Sequence, residues 1–148
     1  MNFFLDTSAL AKLFLIREIG SEKIINLVCD SVNDIWVLEL AQVEFHSAIY
    51  RRFRSGEINN SELVVILNEF DHQFTQFHRE PMTSLVLDEA RNLLKRFGKK
   101  DGLRTLDALQ LAGFTLIAEK TEWFFVCADR LLCSLAEKAG FQTIHAFS

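Results

Sequence analysis

One proline, Pro81, and six glycines are all the chain offers for making linkers. With no internal repeat and no low-complexity stretch, the reading is one domain spanning residues 1–148, long enough to bury a single core. Cysteine is scarce and odd in number. The spacings of Cys29, Cys127 and Cys133 match no zinc motif, and all three sit in apolar patterns, so reduced core thiols are expected. No apolar run is long enough to cross a bilayer. The apolar N-terminus lacks a basic lead-in and is interrupted by Asp6 and Lys12, so it is not read as a signal peptide. The expected setting is cytoplasmic, with no membrane partner.

A basic excess is missing too. The net charge is −4, from 16 basic and 20 acidic residues, which at first argues against nucleic acid as a partner. The argument depends on where the acids sit, because carboxylates that hold divalent metal do not repel phosphate as free ones do. Setting aside the four acids singled out below leaves 16 of each sign. Net charge therefore excludes nothing.

What is present begins with FFLDTSAL. Phe3 to Leu5 form a short apolar run suited to a buried strand, Asp6 ends it, and Thr7 and Ser8 offer capping oxygens before an apolar helical pattern through Ile16. A second amphipathic stretch carries Ile24, Ile25, Leu27 and Val28, and a second buried strand is expected at Ile35 to Leu38. Helices follow over about Leu40 to Arg54 and from Asn59 to Phe77. The latter places Phe70, Phe74 and Phe77 on one side, and with Tyr50 and Phe53 this reads as a partner surface. Pro81 to Thr83 is expected to be extended. Ser84 should cap a helix closed by Gly98, leaving GKKDGLR as a polar loop. The helix from Thr105 is apolar nearly all round and belongs inside the fold. WFFVC, Trp123 to Cys127, is the strongest strand signal, Asp129 ends it, and a last strand is expected at Gln142 to His145. Short buried strands alternating with helices predict an α/β domain with a central parallel sheet sandwiched by helices.

Asp6 and Asp129 follow strands and precede helices, so each suits an N-cap. Asp107, in a first helical turn, suits the dipole. Glu44 reads as mid-helix beside the apolar Phe45 face, a costly place for a carboxylate. Together they say more. Strand-to-helix junctions put Asp6 and Asp129 on one sheet edge, and Asp107's helix starts at the same edge. Crowded carboxylates repel and raise one another's pKa unless a cation shares the site. All-oxygen donors without Cys or His suit Mg2+ or Mn2+ rather than zinc, and such a pocket suits phosphodiester hydrolysis.

FFLDTSALAKLF, VEFHSAIYR, LRTLDALQLAG and FFVCADRLLCSLAEKAGF occur in the order and at roughly the spacing of the PIN-domain ribonucleases, and over essentially its whole length the chain resembles their VapC-like toxins. The resemblance implies a single PIN-like domain, cleavage of RNA, a homodimer, and a small antitoxin protein that blocks the site. The family's four acids fall on Asp6, Glu44, Asp107 and Asp129, as catalytic residues and metal ligands, with Asp6 and Asp107 as primary ligands. Its supporting hydroxyl falls on Ser8 or Thr7. Cys127 stands where the family often has a hydroxyl near the last acid.

Arg51, Arg52 and Arg54 follow Glu44, while Lys95, Arg96, Lys99, Lys100 and Arg104 precede Asp107. Of these Lys99, Lys100 and Arg104 are the candidates to track an RNA backbone. His46, His72, His78 and His145 have no spacing that suggests a general base and are read as surface residues. A haloacid-dehalogenase-like phosphatase is a rival reading, but Ser8 stands where it needs a second Asp. A phosphorelay receiver would need an acidic pair after the first strand and a late-strand Lys, which WFFVC lacks. A third rival is a binding module of the PIN fold, or an RNA-processing protein outside any toxin–antitoxin system.

Overall fold

A computed structural model describes residues 1–118 and 122–148. Its chain order is β1 (Asn2–Leu5), α1 (Thr7–Lys12), α2 (Ser21–Cys29), β2 (Asp34–Leu38), α3 (Ala41–Arg54), α4 (Asn60–Phe74), β3 (His78–Glu80), α5 (Ser84–Asp101), α6 (Thr105–Ile117), β4 (Trp123–Cys127), α7 (Arg130–Lys138) and β5 (Thr143–His145). Every paired strand is parallel, in the order β3-β2-β1-β4-β5. This is the expected sheet.

The strands read as unbroken apolar runs because both faces are covered. On one face Phe3, Leu5, Ile35, Val37 and Val126 pack under α1 to α4; on the other Phe4, Leu38, Phe125 and Cys127 pack under α5 to α7. The chain steps outward from β1 to β2 and β3, then crosses back to β4 and β5. The order therefore reverses beside β1, between it and β4. In open parallel sheets the crevice at the carboxyl ends of the strands, at such a reversal, is where ligands bind. Asp6 leaves β1 there and Asp129 leaves β4. The backbone bond from Asp6 N to Val126 O, 3.0 Å, keeps the two exits together.

Several expectations are corrected. Phe70, Phe74 and Phe77 are buried rather than a docking surface, while Tyr50 and Phe53 are partly exposed. Phe70 stacks on Phe45 with centroids 3.9 Å apart and meets Phe14 edge-on at 5.6 Å, so the aromatic stripe closes the core beneath α3 and α4. The extended segment is His78–Glu80, before Pro81, where it adds an edge strand to β2. The helix α5 is capped by Thr83, runs through Gly98 and stops only at Gly102, whose φ of +72° supplies the left-handed C-cap; Lys99 and Lys100 are thus helical. α1 stops at Lys12 and Ile16 lies exposed beyond it.

The cysteines are also corrected. Cys29 is exposed, and Cys127 and Cys133 form a disulfide with Cα atoms 6.1 Å apart. The cause is geometric: α7 folds back against β4, so two thiols pointing into the same core face meet. Among the described residues no helix is long and apolar enough to cross a membrane.

Candidate functional site

Asp6 owes its place to β1. The strand is central and buried, so its first non-strand residue emerges into the crevice only 3% exposed. Its Oδ1 accepts from Ala9 N at 2.9 Å, which caps α1, and from the Ser8 hydroxyl at 2.7 Å. Asp129 caps α7 likewise, accepting from Leu132 N at 2.9 Å. The capping and cleft readings of these two acids are not alternatives; each residue does both. Glu44 lies in the first turn of α3, not mid-helix, and Asp107 lies in the first turn of α6. All four acids line one cleft of about 600 Å3.

The two hydroxyls after Asp6 have separate jobs. Ser8 donates to Asp6 and accepts from Ala128 N at 2.9 Å, linking the first acid to the turn that carries Asp129. Thr7 donates to Glu44 Oε1 at 3.0 Å. Cys127 Sγ is taken up in the disulfide with Cys133 and has no proton to donate, so the task of a hydroxyl at that position is not performed there.

The electrostatics match a crowded acidic pocket. Burial pushes Asp6 up to about 7 from an ordinary 3.8; the Ala9 N–H and Ser8 hydroxyl oppose the rise, and the charges of Asp107 and Glu44 add to it. Glu44 is raised, chiefly by burial, with bonds from Gln110 and Thr7 opposing and Asp107 adding. Asp107 is raised by burial and then by Asp129, against the pull of Arg104. Asp107 is the hub, since each of the other three acids is coupled to it. Such clustered upward shifts are characteristic of functional sites.

Among the described residues no three His, Cys, Asp or Glu side chains come together tightly enough to hold an ion directly. The donor set still fits Mg2+ or Mn2+. Mg2+ is commonly bound through one or two carboxylates and keeps several waters, which a ring of acids around an open cleft accommodates.

Basic side chains share the walls. Lys12 pairs with Glu18 at 3.3 Å, Arg52 with the same glutamate at 3.0 Å, and Arg104 with Asp107 at 3.6 Å. Arg51 also lines the cleft and has no ion-pair partner among the described residues. Of the three expected strand-tracking residues only Arg104 lines the cleft; Lys99 and Lys100 lie in the last turn of α5 and do not. Gln110 was missed by sequence reasoning. It is buried on α6 and donates to Glu44 Oε1 at 2.7 Å and Thr7 Oγ1 at 3.0 Å. The available signal was a lone amide in an apolar helix, three residues after Asp107.

No family model and no curated protein matches the sequence. Solved structures do match. The Mycobacterium tuberculosis toxin VapC20, described as cleaving the sarcin-ricin loop, is 17% identical with a TM-score of 0.70, over 97% of this chain and 98% of that one. The VapBC2 structure from Rickettsia felis, bound to a DNA fragment from its promoter, matches at 9% identity and a TM-score of 0.68, over 98% of each chain. FitAcB from Neisseria gonorrhoeae matches at 10% identity and 0.65, also over 98% of each. The chain thus has the fold of VapC-type proteins, as the sequence motifs led one to expect.

Proposed function

We propose that this chain is a Mg2+- or Mn2+-dependent endoribonuclease that hydrolyses RNA phosphodiester bonds, and that it serves as the toxin of a type II toxin–antitoxin pair. The observation that carries the reading is four carboxylates, borne by four separate stretches of chain, meeting in one cleft where the strand order reverses. The fold it shares with an RNA-loop-cleaving toxin and with toxin–antitoxin complexes supports it.

Asp6 and Asp107 would be the primary holders of the ion, with Glu44 and Asp129 binding directly or through water. A bound divalent ion of this kind lowers the pKa of an attacking water and stabilises charge developing on phosphate. The chain's own residues supply the rest. Ser8 and the Ala9 N–H fix the Asp6 carboxylate, Thr7 fixes Glu44, and the helix-capping bond fixes Asp129. Arg51 and Arg104 stand at the wall where phosphates would lie. A homodimer and an antitoxin partner belong to the same proposal. Tyr50, Phe53, Val64 and Val65, exposed on α3 and α4, are among the apolar side chains available for them; sedimentation showing only monomer would remove the dimer.

The direct test is cleavage of labelled single-stranded RNA with and without Mn2+. Internal cuts that EDTA suppresses are expected; intact RNA at every metal tried would reject the reading. Arg51→Ala should also weaken RNA binding and reduce its salt dependence by roughly one unit of slope. If Lys99→Ala and Lys100→Ala flatten the slope instead, the strand runs along the end of α5.

A further inference from the structure

Only four polar or charged residues are buried among the described residues: Asp6, Thr7, Ser21 and Gln110. Three of them, Asp6, Thr7 and Gln110, line the cleft, and Thr7 and Gln110 share one hydrogen-bond network there. Gln110 is 1% exposed and surrounded on its helix by Ala108, Leu111, Ala112 and Phe114, all buried. A Leu or Met there would continue that core without a polar atom to satisfy. The amide is not even fully satisfied, since its Oε1 has no hydrogen-bond partner among the described residues. An unpaired buried acceptor lowers stability, and its persistence asks for a reason outside packing.

The reason lies in which atoms the amide engages. Its Nε2 donates to Glu44 Oε1 at 2.7 Å and to Thr7 Oγ1 at 3.0 Å. Because Thr7 Oγ1 accepts from the amide, its own proton is directed to Glu44, again to Oε1, at 3.0 Å. Two donors therefore fall on the same carboxylate oxygen and, among the described residues, none on the other. The bond also joins α6 to α3, holding Glu44 in register with Asp107 one turn earlier on α6.

We propose that Gln110 is a positioning residue for Glu44: with Thr7 it engages Oε1 and turns Oε2 into the cleft as the oxygen free to hold the ion or its water. This rests on the metal-dependent nuclease reading above, and it assigns a role to a residue outside the four acids. Supporting groups of this kind typically change metal affinity or activity by about 10- to 100-fold when removed.

The experiment measures Mn2+ affinity from the electron paramagnetic resonance signal of free Mn2+, with RNA cleavage at saturating Mn2+ and metal-free melting alongside. For Gln110→Met we expect Mn2+ binding at least about tenfold weaker, a lower kcat that excess Mn2+ does not restore, and metal-free melting equal to or above wild type. In a Glu44→Gln background the same change should have no further effect on Mn2+ affinity, because the amide acts through that carboxylate. A folded Gln110→Met protein with wild-type Mn2+ affinity and kcat overturns the inference and leaves the nuclease reading standing, as does an undiminished effect in the Glu44→Gln background. Wild-type protein that neither binds Mn2+ nor cuts RNA overturns both. Should Gln110→Met lose its cooperative melt, Gln110→Asn decides: it keeps an amide one methylene short of Glu44, and unchanged Mn2+ affinity there again overturns the role.

Discussion

Asp107→Asn is expected to reduce RNA cleavage by at least about a hundredfold, the upper end of what even an outer-shell ligand change does to a metal site. The metal-free fold should not weaken. Asp107 is coupled to Asp6, Glu44 and Asp129, and each of those couplings raises a pKa, which means each repels. Neutralising the hub removes all three repulsions at once. What is lost is a 3.6 Å pair with the largely exposed Arg104 and a first-turn carboxylate, worth about 1 kcal/mol each at most. Metal then separates site from scaffold. An ion at a hundred times its Kd stabilises the folded protein by about 2.7 kcal/mol through mass action, so Mn2+ should raise the wild-type melting temperature and do markedly less for the variant. Undiminished cleavage with an unaltered metal response would defeat the proposed chemistry.

The strands that build the site were plain in the sequence because they are buried on both faces: Phe3 to Leu5 and Trp123 to Cys127 are too uniformly apolar to be anything else at that length. The acids at their ends were equally plain. What was not legible is the order of strands, which no local pattern encodes and which makes the junction of β1 and β4 the reversal point. Periodicity likewise shows that Phe70 and Phe74 share a helix face, but not whether that face meets a partner or the chain's own α3. β3 escaped because His78–Glu80 is a polar edge strand with neither alternation nor a hydrophobic run. Gly98 resembled the helix end, but it is Gly102, in the expected loop, that adopts the left-handed conformation that ends one. Gln110 illustrates a different limit. Its residue type was visible, but its meaning depends on Glu44 and Thr7, distant in sequence and adjacent only in the fold.

Between about pH 5 and about pH 8 the metal-free protein is expected to lose about 3 kcal/mol of stability through Asp6 alone. Two good hydrogen bonds to this carboxylate favour its charged form, yet burial outweighs them and lifts it from 3.8 to about 7. Across that window the folded protein keeps a proton that the unfolded chain has released. Stability therefore falls as pH rises, beginning near the unfolded value and levelling once the folded group has ionised. Glu44 and Asp107 are shifted in the same direction and steepen the decline. The loss is a large share of the roughly 5–15 kcal/mol that holds a domain folded. Asp6→Asn should remove the Asp6 part of the slope without removing the cap to Ala9 N, since Asn and Asp serve an N-cap about equally. At high pH the variant should therefore melt above the wild type in EDTA. Mn2+ should reverse that ranking, because the ionised wild-type carboxylate binds the cation and the amide does not. Urea melts at several pH values, with EDTA or Mn2+, read all of this. A wild-type stability that stays level from about pH 5 to about pH 8, or an Asp6→Asn protein that keeps the wild-type slope, would show that burial does not hold this carboxylate's proton.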